Sequence, residues 1–233
     1  MPATFSVLIL TAAPIGQASE SGGAFAKIDG REAVVRSIEL FLNRDNVKQI
    51  QTVFSIEEAD EAKRRHNAHF SFSGVKVLTG GPRWMDQLAA AKDKISPDVS
   101  HVIVHDGARP AVPYTDIEAV MECADTMKKP ALILTTPLRA PLLETEKSTT
   151  PRAFHPADDF VHVLTPQLFT RQRFLEMAST GTFAAPGEIA ILKGSPLNVR
   201  LGGPGDVTLV KAMLNMLPKP KVKASSPFEE AQW

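Results

Sequence analysis

His101-Val102-Ile103-Val104-His105-Asp106-Gly107-Ala108-Arg109-Pro110 is the stretch on which the fold turns. Val102, Ile103 and Val104 make a β-branched run behind His101, and the stretch goes on to an acid, a glycine and an arginine before a proline. Similar runs occur at Phe5–Leu10, Val47–Phe54, Val75–Leu78 and Ala131–Leu134. Between them the apolar residues fall at helical spacing. Glu32–Phe41 carries Ala33, Val34, Ile38 and Phe41; Ser55-Ile56-Glu57-Glu58 has the spacing of a capping box and opens a charged helix toward His66; Trp84–Ile95 and Tyr114–Met127 complete the series. The alternation predicts an α/β fold, a mainly parallel sheet sandwiched by helices.

The rhythm breaks after Leu134. Residues 137–156 hold four prolines in a Thr-, Ser- and Glu-rich setting and read as an extended excursion from the sheet. Regular structure is expected again at Phe160–Leu164, with a helix over Arg171–Ala178, a strand over Leu197–Leu201 and a closing helix over Asp206–Leu217. Residues 1–217 read as a single domain, and 218–233, with Pro218-Lys219-Pro220-Lys221-Val222-Lys223, as a disordered tail.

Composition narrows the function. The 233 residues balance 26 Lys+Arg against 26 Asp+Glu, and 43% are hydrophobic, so the chain is neither disordered nor a binder of nucleic acid through its overall field. The lone Cys123 allows neither an intrachain disulfide nor a thiolate zinc cage, and on a helix it reads as a small hydrophobe. Phe5–Leu10 is too short to span a bilayer and lacks a preceding basic stretch. These features predict a cytoplasmic chain with no membrane or nucleic-acid partner. His66 and His69 read as exposed surface histidines, and Trp84 as core.

In an open parallel sheet ligands bind beyond the carboxyl ends of the strands, which singles out three loops. The first, Thr11 to Gly16 with Gly22, Gly23 and Lys27 beyond it, offers small residues and a lysine to an anion, yet it also reads as a plain βα connection. The second, Gly80-Gly81-Pro82-Arg83, is either a phosphate or base contact or a tight turn with a solvated arginine. The third, Asp106 to Pro110, sets a hard oxygen donor suited to magnesium beside a cation suited to phosphate.

Taken together, Val104–Pro110, Leu164-Thr165-Pro166-Gln167-Leu168-Phe169 and Asn198-Val199-Arg200 with Pro204 and Asp206 resemble the 2-C-methyl-D-erythritol 4-phosphate cytidylyltransferases of the non-mevalonate isoprenoid pathway, over Val7 to Leu214. The resemblance implies a nucleotide-diphospho-sugar transferase-like fold and transfer of CMP from CTP to a sugar-alcohol phosphate, with Mg²⁺ as cofactor and pyrophosphate released. It assigns Lys27 and Arg200 as catalytic. Ala12, Ala13, Gly16, Gly81, Arg83, Asp86 and Gly107 become nucleotide contacts, and Asp106, Arg109 and Thr165 acceptor contacts, with Asp106 also on the metal. It further implies that the excursion is an arm clasping a second subunit in a homodimer. Several positions depart from the family pattern. Pro14 stands for the first loop glycine, Ala18 for an arginine, Asp86 for a serine, Ala140-Pro141 for an Asp-Thr pair, Ala157 for an arm arginine, and Arg200 for a lysine. Two further readings follow from these departures: a catalytically impaired paralogue that binds or regulates, or a nucleotidyltransferase for another acceptor or base.

Overall fold

A computed structural model describes residues 2–17, 23–147, 149–214 and 216–217. The predicted C-terminal tail, Ala18 and Gly22 lie outside the described residues. Strands β1 (Phe5–Leu10), β4 (Val47–Ser55), β5 (Lys76–Gly80), β6 (His101–Asp106), β7 (Ala131–Pro137), β10 (Val161–Thr170) and β11 (Ile189–Lys193) form one seven-stranded sheet in the order β11-β7-β10-β6-β1-β4-β5. β10 runs antiparallel to both of its neighbours and the other pairings are parallel, so the sheet is mainly parallel as expected.

Side-chain alternation builds two apolar layers. Phe5, Val7 and Ile9 of β1 join Ile103 and Phe54 under α1 (Ala33–Glu39), α2 (Ile56–Phe72) and α4 (Tyr114–Glu122). Leu8 and Leu10 face the other way, with Val102, Val104 and Trp84, under α3 (Trp84–Ala91) and α5 (Arg171–Thr180). Because helices cover both faces, β1 and β6 are buried along their whole length. α2 begins at the Ser55 capping spacing, with the Ser55 N–H donating to Glu58 Oε2 at 3.2 Å, and runs on past His66 to Phe72.

Two expectations are corrected. Leu197–Leu201 alternates like a strand but is irregular: the Val199 N–H turns back to the Leu197 carbonyl at 2.9 Å, and the Leu201 N–H reaches Ala108 at 2.8 Å. The edge strand beside β7 is β11, an Ile-Ala-Ile-Leu run that the sequence reading left without a strand. His66 is not a free surface histidine, since its Nε2 lies 2.9 Å from the buried Glu32 carboxylate.

Smaller elements decorate the frame. β2 (Lys27–Ile28) and β3 (Arg31–Glu32) make a short hairpin before α1, and α6 (Pro204–Leu214) closes the described chain. β8 (Leu142–Glu146) and β9 (Thr150–His155) pair only with each other and stand exposed off the main sheet.

Candidate active site

β6 is the central strand of the seven, and its carboxyl end carries the polar group on which the site is built. His105 is fully buried. Its Nε2 faces the Arg109 carbonyl at 3.1 Å, which can only accept, so Nε2 holds the proton and Nδ1 accepts from the Thr165 hydroxyl at 2.9 Å. The same Thr165 oxygen accepts the Asp106 N–H at 3.1 Å. Burial pushes His105 down to about 3, so the ring stays neutral.

Asp106 has no exposed surface. Its Oδ1 accepts the Ala108 N–H at 2.9 Å and its Oδ2 accepts Arg200 Nε at 2.8 Å, with Arg109 Nε 3.8 Å away. Arg109 in turn donates from its NH1 nitrogen to the Asn198 carbonyl at 2.7 Å and to Asn198 Oδ1 at 3.3 Å, while its buried Nε has no hydrogen-bond partner. Burial pushes the Arg109 guanidinium below its ordinary value, Asp106 opposing that shift and Arg200 adding to it.

The first loop spends its donors internally. Buried Gln87 of α3 accepts the Thr11 N–H at 3.0 Å and the Ala12 N–H at 3.2 Å through its Oε1. Pro14 has no N–H, and the Gln17 N–H closes a turn on the Pro14 carbonyl at 3.0 Å, with Gly16 at φ +78° as a type II turn requires.

That turn separates two clefts at the carboxyl ends of the strands. The first, of about 610 Å³, runs between Ala13, Ile15 and Gln17, the start of α3 and the end of α5. Arg83 and Asp86 line it but hold each other, at 2.9 and 3.0 Å, and the arginine holds the Asp86 carboxyl below its usual range. A Cβ on Gly81 would come within 2.8 Å of the Asp86 side chain, so only glycine lets Asp86 fold back there. The second cleft, of about 530 Å³, is lined by Gly16, Arg109, Thr165, Gln167 and Asn198, with no carboxylate among the described residues of its wall. It adjoins a smaller hollow bearing Arg139, His162 and Lys193.

The predicted residues thus fall into three groups. Ala13, Arg83 and Asp86 meet at the first cleft, and Gly16, Arg109 and Thr165 at the second. Ala12, Lys27, Gly81, Asp106, Gly107 and Arg200 line neither. Lys27 sits exposed on the β2–β3 hairpin. The Gly107 N–H donates to Leu10 at 2.8 Å and its carbonyl accepts the Ser37 hydroxyl at 3.0 Å, which makes it a packing residue. The expectation of a rim acid is corrected: Asp106 and Arg200 form a buried pair behind the cleft wall, because two guanidiniums and a backbone N–H draw the carboxylate inward. Gln87 was not singled out from sequence, though a glutamine on the apolar face of α3 was the available signal, and Asn198 entered only as part of the Asn198-Val199-Arg200 resemblance, with no role assigned.

The described residues hold no ready-made magnesium cage, and a magnesium carried on a triphosphate would need only one or two carboxylates beside the phosphates. Both Asp106 oxygens are committed, Asp86 is paired with Arg83, and among the described residues no three His, Cys, Asp or Glu side chains cluster as ligands.

The family model for 2-C-methyl-D-erythritol 4-phosphate cytidylyltransferase matches residues 6–216. The chain belongs to this family. Relatives include the cytidylyltransferases of Clostridioides difficile, 22% identical over 86% of this chain and 89% of that one, and of Rhodopirellula baltica, 26% identical over 89% and 94%. Among solved structures, a 4-diphosphocytidyl-2C-methyl-D-erythritol synthase superposes with a TM-score of 0.74 at 20% identity, covering 92% of this chain and 99% of that chain. The cytidylyltransferase of Thermus thermophilus gives 0.68 at 22%, covering 89% and 98%. These likenesses agree with the fold read from β6 outward.

Proposed function

We propose that the chain transfers the cytidylyl group of CTP to 2-C-methyl-D-erythritol 4-phosphate in isoprenoid precursor biosynthesis. An acceptor phosphate oxygen attacks the α-phosphorus of CTP, the bond from that phosphorus to the oxygen bridging to the β-phosphate breaks, and pyrophosphate departs with the electron pair. Such chemistry asks the protein for positioning and charge neutralisation. The observation that carries the reading is the second cleft, where Arg109 is the arginine among the described lining residues and no described carboxylate shares the wall with it. On this reading CTP occupies the first cleft, the acceptor occupies the second, and the reacting phosphates meet at the Pro14–Gln17 turn. Magnesium enters with the triphosphate, and no step is assigned to it.

The reading extends to a cytoplasmic homodimer. The exposed Leu142, Leu143 and Phe154 of the β8–β9 hairpin support an arm that covers a second copy, which sedimentation would detect as twice the monomer mass. In the described residues, no helix is long and apolar enough to cross a membrane.

A second reading, a scaffold that has lost turnover, is favoured by one observation: the Thr11 and Ala12 N–H groups are already taken by Gln87. Purified protein with CTP, magnesium and 2-C-methyl-D-erythritol 4-phosphate is expected to release pyrophosphate. Silence beside an active relative would select the scaffold reading.

A further inference from the structure

Arg109 is the one cation of the second cleft whose guanidinium is fixed by buried partners, and the residue that fixes it belongs to neither the first loop nor β6. Asn198 is 3% exposed and uses nearly everything it has. Its carbonyl and Oδ1 both accept from the Arg109 NH1 nitrogen, at 2.7 and 3.3 Å, and its Nδ2 donates to the Thr165 carbonyl at 2.7 Å. One side-chain amide therefore ties the cleft arginine on the β6 loop to the cleft threonine on β10.

Asn198 is itself set rigidly. Its N–H donates to the Ser195 carbonyl at 3.2 Å, and the Ser195 N–H is anchored on Asp116 Oδ2 of α4 at 2.8 Å. The Leu197 N–H closes the turn on the Ser195 hydroxyl at 3.1 Å. The turn cannot drift without breaking bonds to the body of the domain. A planar fork held on one nitrogen leaves its remaining N–H groups aimed in a fixed direction, and preorganised donors cost no reordering when an anion arrives. Aspartate at this position would set a carboxylate against the Thr165 carbonyl and neutralise the arginine; alanine would keep the main-chain bond to the NH1 nitrogen but lose the Oδ1 bond and the tie to Thr165, loosening the fork.

We infer that Asn198 is a positioning residue for the acceptor: acting through Arg109, it sets the guanidinium that receives the acceptor's phosphate. This rests on the assignment of the second cleft to the acceptor.

A double-mutant cycle tests it, since two residues that act as a unit have non-additive effects. Wild type, Asn198→Ala, Arg109→Ala and the double variant are titrated with 2-C-methyl-D-erythritol 4-phosphate by calorimetry, and KM is measured for the acceptor and for CTP. Asn198→Ala is expected to weaken acceptor binding about 10-fold and Arg109→Ala about 100-fold, with the CTP KM within about twofold. In the Arg109→Ala background the Asn198 change should add less than about twofold. Urea unfolding of each variant separates lost affinity from lost fold. Unchanged affinity in Asn198→Ala, or full additivity in the cycle, overturns the inference. If the acceptor binds and the cycle is non-additive but no pyrophosphate appears, the positioning role stands and the transferase reading fails. If wild type does not bind the acceptor, the inference falls with the cleft assignment.

Discussion

The two clefts on either side of the Pro14–Gln17 turn are built in opposite ways. In the first, the charged pair Arg83–Asp86 is exposed and self-satisfied, and the nearby loop amides of Thr11 and Ala12 are spent on Gln87. In the second, the charge is buried and held from behind, with Asp106 between Arg200 and Arg109, and Asn198 on the arginine's far nitrogen. Exposed pairs contribute little and rearrange cheaply, whereas a buried charge that loses its partner is costly. The second cleft is therefore preorganised before any ligand binds, and the first must give up internal contacts to take one.

Asp106→Ala should break that contrast most severely. It leaves two guanidiniums without their carboxylate and should cost about 3–5 kcal/mol in urea unfolding, along with activity. An effect within 0.5 kcal/mol would return Asp106 to the rim.

Acid should sharpen it. His105 titrates near its ordinary 6.5 when unfolded and at about 3 when folded, so the unfolded chain binds the extra proton between those values. Its contribution is fully present above pH 6.5 and declines as pH falls toward 3, at about 1.4 kcal/mol per unit. The raised Asp116 carboxyl has the opposite sign and remains in both proteins compared. Unfolding of wild type against His105→Gln from pH 7 to 5 should show the steeper loss in wild type; parallel curves would contradict a buried neutral ring.

On the nucleotide side, Gly81→Ala must displace Asp86 and should cost about 1–3 kcal/mol, raising the KM for CTP more than that for the acceptor. Arg83→Ala is the mildest. Stability should stay within about 0.5 kcal/mol, with any kinetic change confined to CTP.

Much of this was legible in the sequence. Continuous apolar runs marked the central strands because both faces of the sheet are covered, and the Ser55 spacing marked the start of α2. The departure lay in alternation: Leu197–Leu201 has strand periodicity, but its Leu201 packs with Ala108 and Val210 while its amides bond locally or to the β6 loop. At the candidate site, Asp106-Gly107-Ala108-Arg109 pointed to the loop that carries Arg109 into the wall of the second cleft. It did not reveal which side chain faces the cleft, because that depends on Arg200 and Asn198, roughly ninety residues further along the chain. Lys27 has the charge that the resemblance asks for, and its hairpin exposes that charge to solvent.

The central claim is that the acceptor meets Arg109 and the nucleotide does not. The most direct measurement is the pair of KM values for Arg109→Lys, which keeps the charge and loses the fork. The account predicts a rise of about 10-fold for 2-C-methyl-D-erythritol 4-phosphate and less than about twofold for CTP. An equal rise for both substrates, or a rise for CTP alone, would contradict it.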